Sequence, residues 1–249
     1  MAESFQNGGL RLYLARARNR WLRFRLRGRD LDPRALANLG ALDNLRLDEP
    51  ARTHRFVVLD LETTGLDPNK DRVVSVGAFR VVGGRVRLGE VFSELCNPGR
   101  DIPVESIKVH AIVPDMIHQA RPAWEVFLDF LGFLGHDILV AHYAPFDVYF
   151  MNRVMKGQFG FPLQNLVLDT VELCRTLLLK PDPYGVYLDF KKCGLDALAE
   201  LFAVEVPERH TALGDALATA LIFQRFMQKL ESQGRGSLRE MIKLGGMAA

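Results

Sequence analysis

The sequence predicts an α/β fold that opens on an antiparallel hairpin, and three observations carry the prediction. The apolar run Phe56, Val57, Val58 and Leu59 reads as a buried strand. Two further runs, 73–82 and 86–95, flank the pair Gly83 and Gly84, which is hairpin turn chemistry. Beyond them, short apolar runs at 138–141 and 166–169 are each followed by a segment of helical period, the alternation expected of strands and helices in one domain.

Taken in chain order, the first element is an arginine-rich arm. Arg11, Arg16, Arg18, Arg20, Arg23, Arg25, Arg27 and Arg29 accompany Leu10, Tyr13, Leu14, Ala17, Trp21 and Phe24 at helical spacing, so the arm reads as a basic amphipathic helix. The alternation from Trp21 to Arg27 leaves a strand open there. Asp32 and Pro33 supply an N-cap and a first-turn proline for a following helix. A polar linker near Asp48 to His54 leads to strands at 56–61, 73–82 and 86–95. Pro122 to Leu134 is helical in period, a strand follows near 138–141, and a helix follows Pro145. The strand Leu166 to Asp169 leads into helices near 170–178, 194–202 and 211–230, and Ser237 with Glu240 forms a capping-box pattern for a last short helix.

The chemistry begins at the end of the first strand. A strand's period of two puts Asp60 and Glu62 on one face. Like charges about 4 Å apart repel by roughly 4 kcal/mol at an intermediate effective dielectric, so the pair calls for a cation. Two later segments bring further ligands: HYAPFD delivers Asp147 near a helix start, and HTALGDALATALIF carries His210 and Asp215 at the opening of an amphipathic helix. Singly, such residues are ordinary, since a carboxylate after a strand is often a solvated turn and an Asp before a helix is often an N-cap. Together, in this order, they make three carboxylate-bearing segments and one histidine.

The order DxE, HxAxFD, HxAxxD resembles the three exonuclease motifs of the DEDD superfamily, in its histidine-containing DEDDh (DnaQ-like) branch, which includes the proofreading epsilon subunit of bacterial DNA polymerase III. The resemblance covers roughly residues 54 to 230. It implies a ribonuclease H-like fold, a mixed five-stranded sheet with helices on both faces. It divides the chain into a basic extension and linker over 1–53, an exonuclease domain over 54–230 and a tail with a short helix over 231–249. It makes Asp60, Glu62, Asp147 and Asp215 the metal ligands and His210 the general base. The chemistry is coherent on its own terms. Two metal ions roughly 4 Å apart stabilise both the attacking and the leaving oxygen of an in-line phosphodiester displacement. Hard oxygen ligands suit Mg²⁺ or Mn²⁺, and the Cys or His spacings of a zinc site do not occur. A histidine with an ordinary pKa of about 6.5 can take a proton from the attacking water at neutral pH.

The expected activity is therefore metal-dependent 3′ to 5′ exonucleolysis at single-stranded ends, DNA in proofreading or repair, releasing nucleoside 5′-monophosphates. The alternatives are an exoribonuclease acting on short RNA or RNA tails, and a non-catalytic nucleic-acid or polymerase-binding module. The resemblance points to Thr63, Thr64, Gly65 and Leu66 as the turn that holds the terminal nucleotide, and to His110 in IKVHAIVPDMI as a further contact. Phe146 either packs beneath the site or stacks on a base, where aromatic faces offer about 1 to 3 kcal/mol per base. Many relatives read HNAxFD, whereas Tyr143 follows His142 here, which bears on sugar preference and not on the metals.

Composition bounds the setting. The 249 residues are 48% hydrophobic and 25% charged, the balance of a globular domain with appendages. No window approaches the roughly 20 apolar residues of a membrane span. An N-terminus without an uncharged signal core points to the cytoplasm. Cys96, Cys174 and Cys193 are odd in number and lack CxxC spacing, so they are expected to be reduced thiols. Residues 1–55 hold 12 Lys/Arg and 6 Asp/Glu, leaving 20 against 24 for the remainder. The basic arm is expected to dock on the domain or on a partner such as a polymerase, to bind nucleic acid, or to lie on a membrane surface. Its removal is expected to leave hydrolysis of short strands nearly unchanged.

Overall fold

β1 (Arg55–Thr63) lies inside the sheet because its core residues are apolar on both faces, and the alternation of its side chains feeds two separate cores. In the computed structural model, which describes residues 8–179 and 190–247, Val57, Leu59 and Leu61 point into one core while Phe56 and Val58 point into the other. The side chains of Leu10 and Arg11 and the terminal Ala248 and Ala249 lie outside the described residues. β2 (Val73–Val82) pairs antiparallel with β1 and with β3 (Arg85–Leu95). Gly83 and Gly84 turn that hairpin with φ of +62° and +72°, the two positive values a primed turn needs. On the other side of β1, β4 (Ile138–Ala141) and β5 (Val167–Asp169) run parallel to it.

The five predicted strands all form, and a sixth joins them. β6 (Gly246–Met247) pairs antiparallel with β5 at the sheet edge, giving the order β3-β2-β1-β4-β5-β6. Two residues without an apolar run carry no periodicity to read, which is why the sequence did not announce it.

Helices cover both faces. On one side lie α2 (Pro33–Asn38), α5 (Ala123–Leu134) and α6 (Ala144–Phe159), of which α5 and α6 bury Phe127, Phe130, Phe150 and Met151, while α1 (Gly8–Arg25) reaches both cores through Leu22 and through Leu12 and Ala15, and α3 (Val104–His110) and α4 (Pro114–Ile117) pack on a third cluster around Val74. On the other lie α7 (Thr170–Leu177), α8 (Leu195–Leu201), α9 (Ala212–Ser232) and α10 (Leu238–Gly245), where Phe223 meets Phe56 edge-on at 5.0 Å. The predicted caps form: Asp32 accepts from the Arg34 N–H at 2.8 Å, and Ser237 from that of Glu240 at 3.2 Å.

The arm is a helix throughout Gly8–Arg25, which closes the strand alternative for Trp21 to Arg25. It docks on the body of the protein. Arg16 donates to the carbonyls of Leu42 and Leu45 at 2.8 and 2.7 Å, Arg23 pairs with Asp43 at 2.8 Å, and Arg18 reaches Gln164 at 3.1 Å. Leu26, Ala35, Leu39, Leu42, Leu45 and Leu47 are buried in the two cores. The segment before β1 is also tied down, since the N–H groups of Leu238 and Arg239 donate to Glu49 and Leu47. Deleting residues 1–50 would strip these side chains from the cores, so the deletion is now expected to destabilise the fold and, through it, to lower hydrolysis of short strands.

A second correction concerns the cysteines. Cys174 and Cys193 form a disulfide, with Cα atoms 5.7 Å apart, and Cys96 alone is free and buried. A separation of 19 residues carries no motif. The pair meets only because α7 and the turn Phe190–Cys193 fold against the same core. Closing a loop of this size contributes about 3 kcal/mol by constraining the unfolded chain. Reduction with a mild thiol is therefore expected to lower the thermal midpoint by roughly 5–10 °C, and an unchanged midpoint would refute the bond's contribution.

Candidate active site

The site is built where β1 ends and α9 begins. Asp60 stands opposite Gly77 in the β1–β2 register. Gly77 has no side chain to hold α9 away: a Cβ there would lie 2.3 Å from the carbonyl carbon of Ala212, so the helix start rests on the sheet backbone. Thr211 caps α9 by accepting from the Gly214 N–H at 3.1 Å, and Asp215 follows in the first turn. The outcome is that Asp60, Glu62 and Asp215 each bring an oxygen to within 4.8 Å of the others. Asp147, in the first turn of α6, is buried beside them at 3% exposure and raises the pKa of Asp60. Three of the four carboxylates expected from the sequence thus meet as one possible ligand set, and the fourth, Asp147, is near enough to act on Asp60 electrostatically.

The electrostatics is that of a cation site. Burial, then the charges of Asp147, Glu62 and Asp215, hold the Asp60 carboxyl well above the usual carboxylate range. Burial and Asp215 push Glu62 up to about 8, and burial raises Asp147 and Asp215 as well. A hard, all-oxygen donor set under mutual repulsion fits a divalent cation.

His210 is exposed and sits in the left-handed region at φ +64°, as does Glu208 at +61°. That turn aims the backbone N–H of His210 at Asp215 Oδ1, 3.1 Å away. Gly214 lets the turn close, because a Cβ there would meet the Glu208 carbonyl oxygen at 2.0 Å. Arg209 donates to the same Oδ1 and to Asp196 of α8, so two donors hold the Asp215 carboxylate from the side of the 208–210 turn. Ligating carboxylates are commonly oriented by such outer hydrogen bonds.

A groove of ≈ 560 Å³ opens beside the carboxylates, with Leu66, Tyr143, Phe146 and Tyr149 among its walls. Leu66 is 84% exposed and Tyr143 is 60% exposed, whereas Phe146 both lines the groove and packs on Phe150 at 4.9 Å. The turn before Leu66 is internally satisfied. Thr63 Oγ1 donates to the Gly65 carbonyl at 2.7 Å, and Thr64 Oγ1 donates to Asp71 at 3.0 Å. Gly65 lies so close to Asp71 that a Cβ would be 2.5 Å from its carboxylate. His110 is buried; its Nδ1 accepts from Ile112 N at 3.1 Å, and its Nε2 has no partner. Tyr143 occupies a left-handed position at φ +60°, its N–H donating to Asp169 at 3.0 Å. His142 turns inward to Thr170 Oγ1 at 2.8 Å, and burial lowers its pKa to about 4.

Sequence reasoning missed Arg209, Gly77, Asp169 and Thr170. The last three are backbone-fitting or inner hydrogen-bonding groups whose partners are distant in sequence. Arg209, adjacent to His210, was readable as a cation beside an acidic cluster.

The comparisons agree with this geometry. The RNase T exonuclease family model matches residues 57–223. A DNA polymerase III epsilon-like protein of Rhodobacter capsulatus is 42% identical over 72% of the chain, and a PolC-type DNA polymerase III of Thermotoga maritima is 34% identical over 81%. The chain spans only 24% and 14% of those two relatives. The DNA polymerase III epsilon subunit of Aquifex aeolicus is 37% identical, over 70% of the chain and 81% of the relative. Among solved structures, exonuclease X in complex with 5′-overhanging duplex DNA superposes with TM-score 0.57 at 22% identity, over 76% of this chain and 99% of that one. The zinc-bound complex of E. coli exonuclease I with single-stranded DNA gives 0.60 at 18%, over 72% and 43%. These two likenesses speak to the fold, the ribonuclease H-like one expected from the sequence. With the matched span running from the strand that carries Asp60 to the helix that carries Asp215, the chain belongs to the RNase T exonuclease family.

Proposed function

We propose that the chain is a metal-dependent 3′ to 5′ exonuclease acting on single-stranded DNA ends and releasing nucleoside 5′-monophosphates, with residues 54–230 as the catalytic domain. The observation that carries the reading is the meeting of Asp60, Glu62 and Asp215 within 4.8 Å, with Asp147 buried alongside. These residues would hold two divalent ions, Mg²⁺ or Mn²⁺, which when bound supply Lewis-acid stabilisation of the attacking and leaving oxygens. His210, exposed at the rim and anchored to Asp215 through its backbone, takes the proton of the attacking water. Leu66 and Phe146 hold the terminal base, the backbone of the 63–66 turn supports the sugar, and the free Nε2 of buried His110 gives a polar contact. Tyr143, outward at the groove mouth, sets the sugar preference.

The test is a panel of 3′-labelled DNA and RNA oligonucleotides with Mg²⁺ or Mn²⁺. DNA is expected to shorten from its 3′ end faster than RNA; intact oligonucleotides of both kinds would end the proposal. His210→Ala should cut the rate by about 10²–10⁴-fold with the thermal midpoint unchanged, because the side chain is exposed. We also place the chain in the cytoplasm, where disulfides are rare. The Cys174–Cys193 pair would then be reduced in the cell and bonded only on later oxidation. Because both side chains are buried, rapid alkylation in lysate denatured at once should label both, and protection of both would remove the chain from that compartment.

A further inference from the structure

The arm helix has two opposite apolar faces, and only one of them is used. Leu12, Ala15, Leu22 and Leu26 pack inward. Tyr13, Trp21 and Phe24 stand outward, 66%, 55% and 69% exposed. At about 100° per residue, these three and Ala17 form one outward stripe, bordered by Arg20 on one side and by Arg18 and Arg25 on the other. The Arg25 guanidinium lies 5.3 Å from the Trp21 ring centre, and Arg27 lies 5.8 Å from that of Phe24. No acidic residue occurs between Glu3 and Asp30. Among the described residues, Arg20, Arg25, Arg27 and Arg29 have no carboxylate partner, unlike Arg23 with Asp43.

We propose that this outward face of α1 is a second nucleic-acid site, which takes single-stranded DNA several nucleotides upstream of the 3′ end held at the carboxylates. Guanidinium forks match phosphate oxygens, and exposed rings offer stacking faces to successive bases. Charge favours a polyanion here over elsewhere, because the chain after residue 55 carries 20 basic against 24 acidic residues. The placement of the upstream part rests on the exonuclease reading. α1 and α2 contact Gln164 and Asn165, at the amino end of β5, whereas Asp60 and Glu62 lie at the carboxyl end of β1. Asp60 lies five residues from the start of β1, about 17 Å, a distance that a single strand, more extended per nucleotide than the roughly 3.4 Å of a duplex strand, crosses in fewer than about five nucleotides. The face is thus out of reach of a dinucleotide bound by its 3′ end.

The experiment is fluorescence anisotropy of the full chain in chelator, with 5′-labelled oligothymidylates of two and about thirty nucleotides. The long strand is expected to bind at least about tenfold tighter. Trp21→Ala with Phe24→Ala should remove most of that difference. Arg25→Gln with Arg27→Gln should do the same and flatten the salt dependence, log K against log salt, by about 1.4. All four side chains are exposed, so hydrolysis of the short strand should persist in both variants. Equal binding of the two lengths, or a difference that survives both double variants, overturns the proposal. So does capture of the chain by phosphatidylserine vesicles without tight binding of the long strand, which would make the face a membrane contact. Failure to hydrolyse either strand with Mn²⁺ would overturn the exonuclease reading instead, and leaves the anisotropy comparison standing as a test of the face.

Discussion

Asp60→Asn is expected to abolish hydrolysis and, in the absence of metal at pH 8, to raise the thermal midpoint. Burial, then Asp147, Glu62 and Asp215, raise the pKa of the Asp60 carboxyl, with Arg209 opposing. An amide of the same shape removes an ionisation the apo fold disfavours, so the metal-free stability should rise. The same change deletes a central ligand. Charge stabilisation by bound metal amounts to several kcal/mol, so hydrolysis should fall about a thousandfold or more. Mn²⁺ should stabilise the native sequence against heat but not the variant. A variant that keeps its activity, or melts lower without metal, would contradict the assignment of Asp60.

The same electrostatics sets an unusual pH dependence. Glu62 has a folded pKa of about 8 against roughly 4.3 for a free glutamate. When the folded pKa is the higher one, the folded state binds more protons between the two values. Stability is then fully present below about pH 4 and is lost as pH rises through about 8. The metal-free chain should melt progressively lower from pH 5 to pH 8, and a divalent cation should cancel the trend by neutralising the pair.

How much of this was legible in the sequence depends on the range of the signal. β1, the Gly83–Gly84 hairpin and α9 are announced by local patterns of period two or 3.6, or by turn residues with positive φ. The five site residues were readable because each sits in a short string at the end of a strand or the start of a helix, where backbone geometry alone fixes direction. What was missed is long-range. Cys174 and Cys193 meet across a fold that no spacing encodes. The arm's spacing leaves docking, nucleic-acid binding and a membrane surface open, and it cannot say that Arg16 and Arg23 are occupied by a segment about 20 or more residues away. Gly77 carries no signal of its own inside β2, and its meaning appears only when Ala212 arrives on top of it.

Gly77→Ala should therefore be among the most damaging single changes outside the ligands. The added Cβ would meet backbone, 2.3 Å from Ala212 C and 2.4 Å from both Ala212 O and Leu213 N, and backbone cannot rotate aside. Gly77 is not among the glycines at positive φ, so alanine's own conformational preference costs nothing and the clash acts alone. The start of α9 must lift by about 1 Å to restore ordinary contact, at a cost of roughly 1–3 kcal/mol. Asp215 rides on that turn, three residues beyond Ala212. A displacement of about 1 Å in a catalytic group can cost about a hundredfold in rate. The variant should melt several degrees lower, lose most of its stabilisation by Mn²⁺, and hydrolyse short DNA about a hundredfold more slowly. Gly89→Ala is the matched control, a strand glycine whose added Cβ would meet nothing within 4 Å. If Gly77→Ala binds Mn²⁺ as tightly as Gly89→Ala does, the seating of α9 on the sheet is not what brings Asp215 to Asp60.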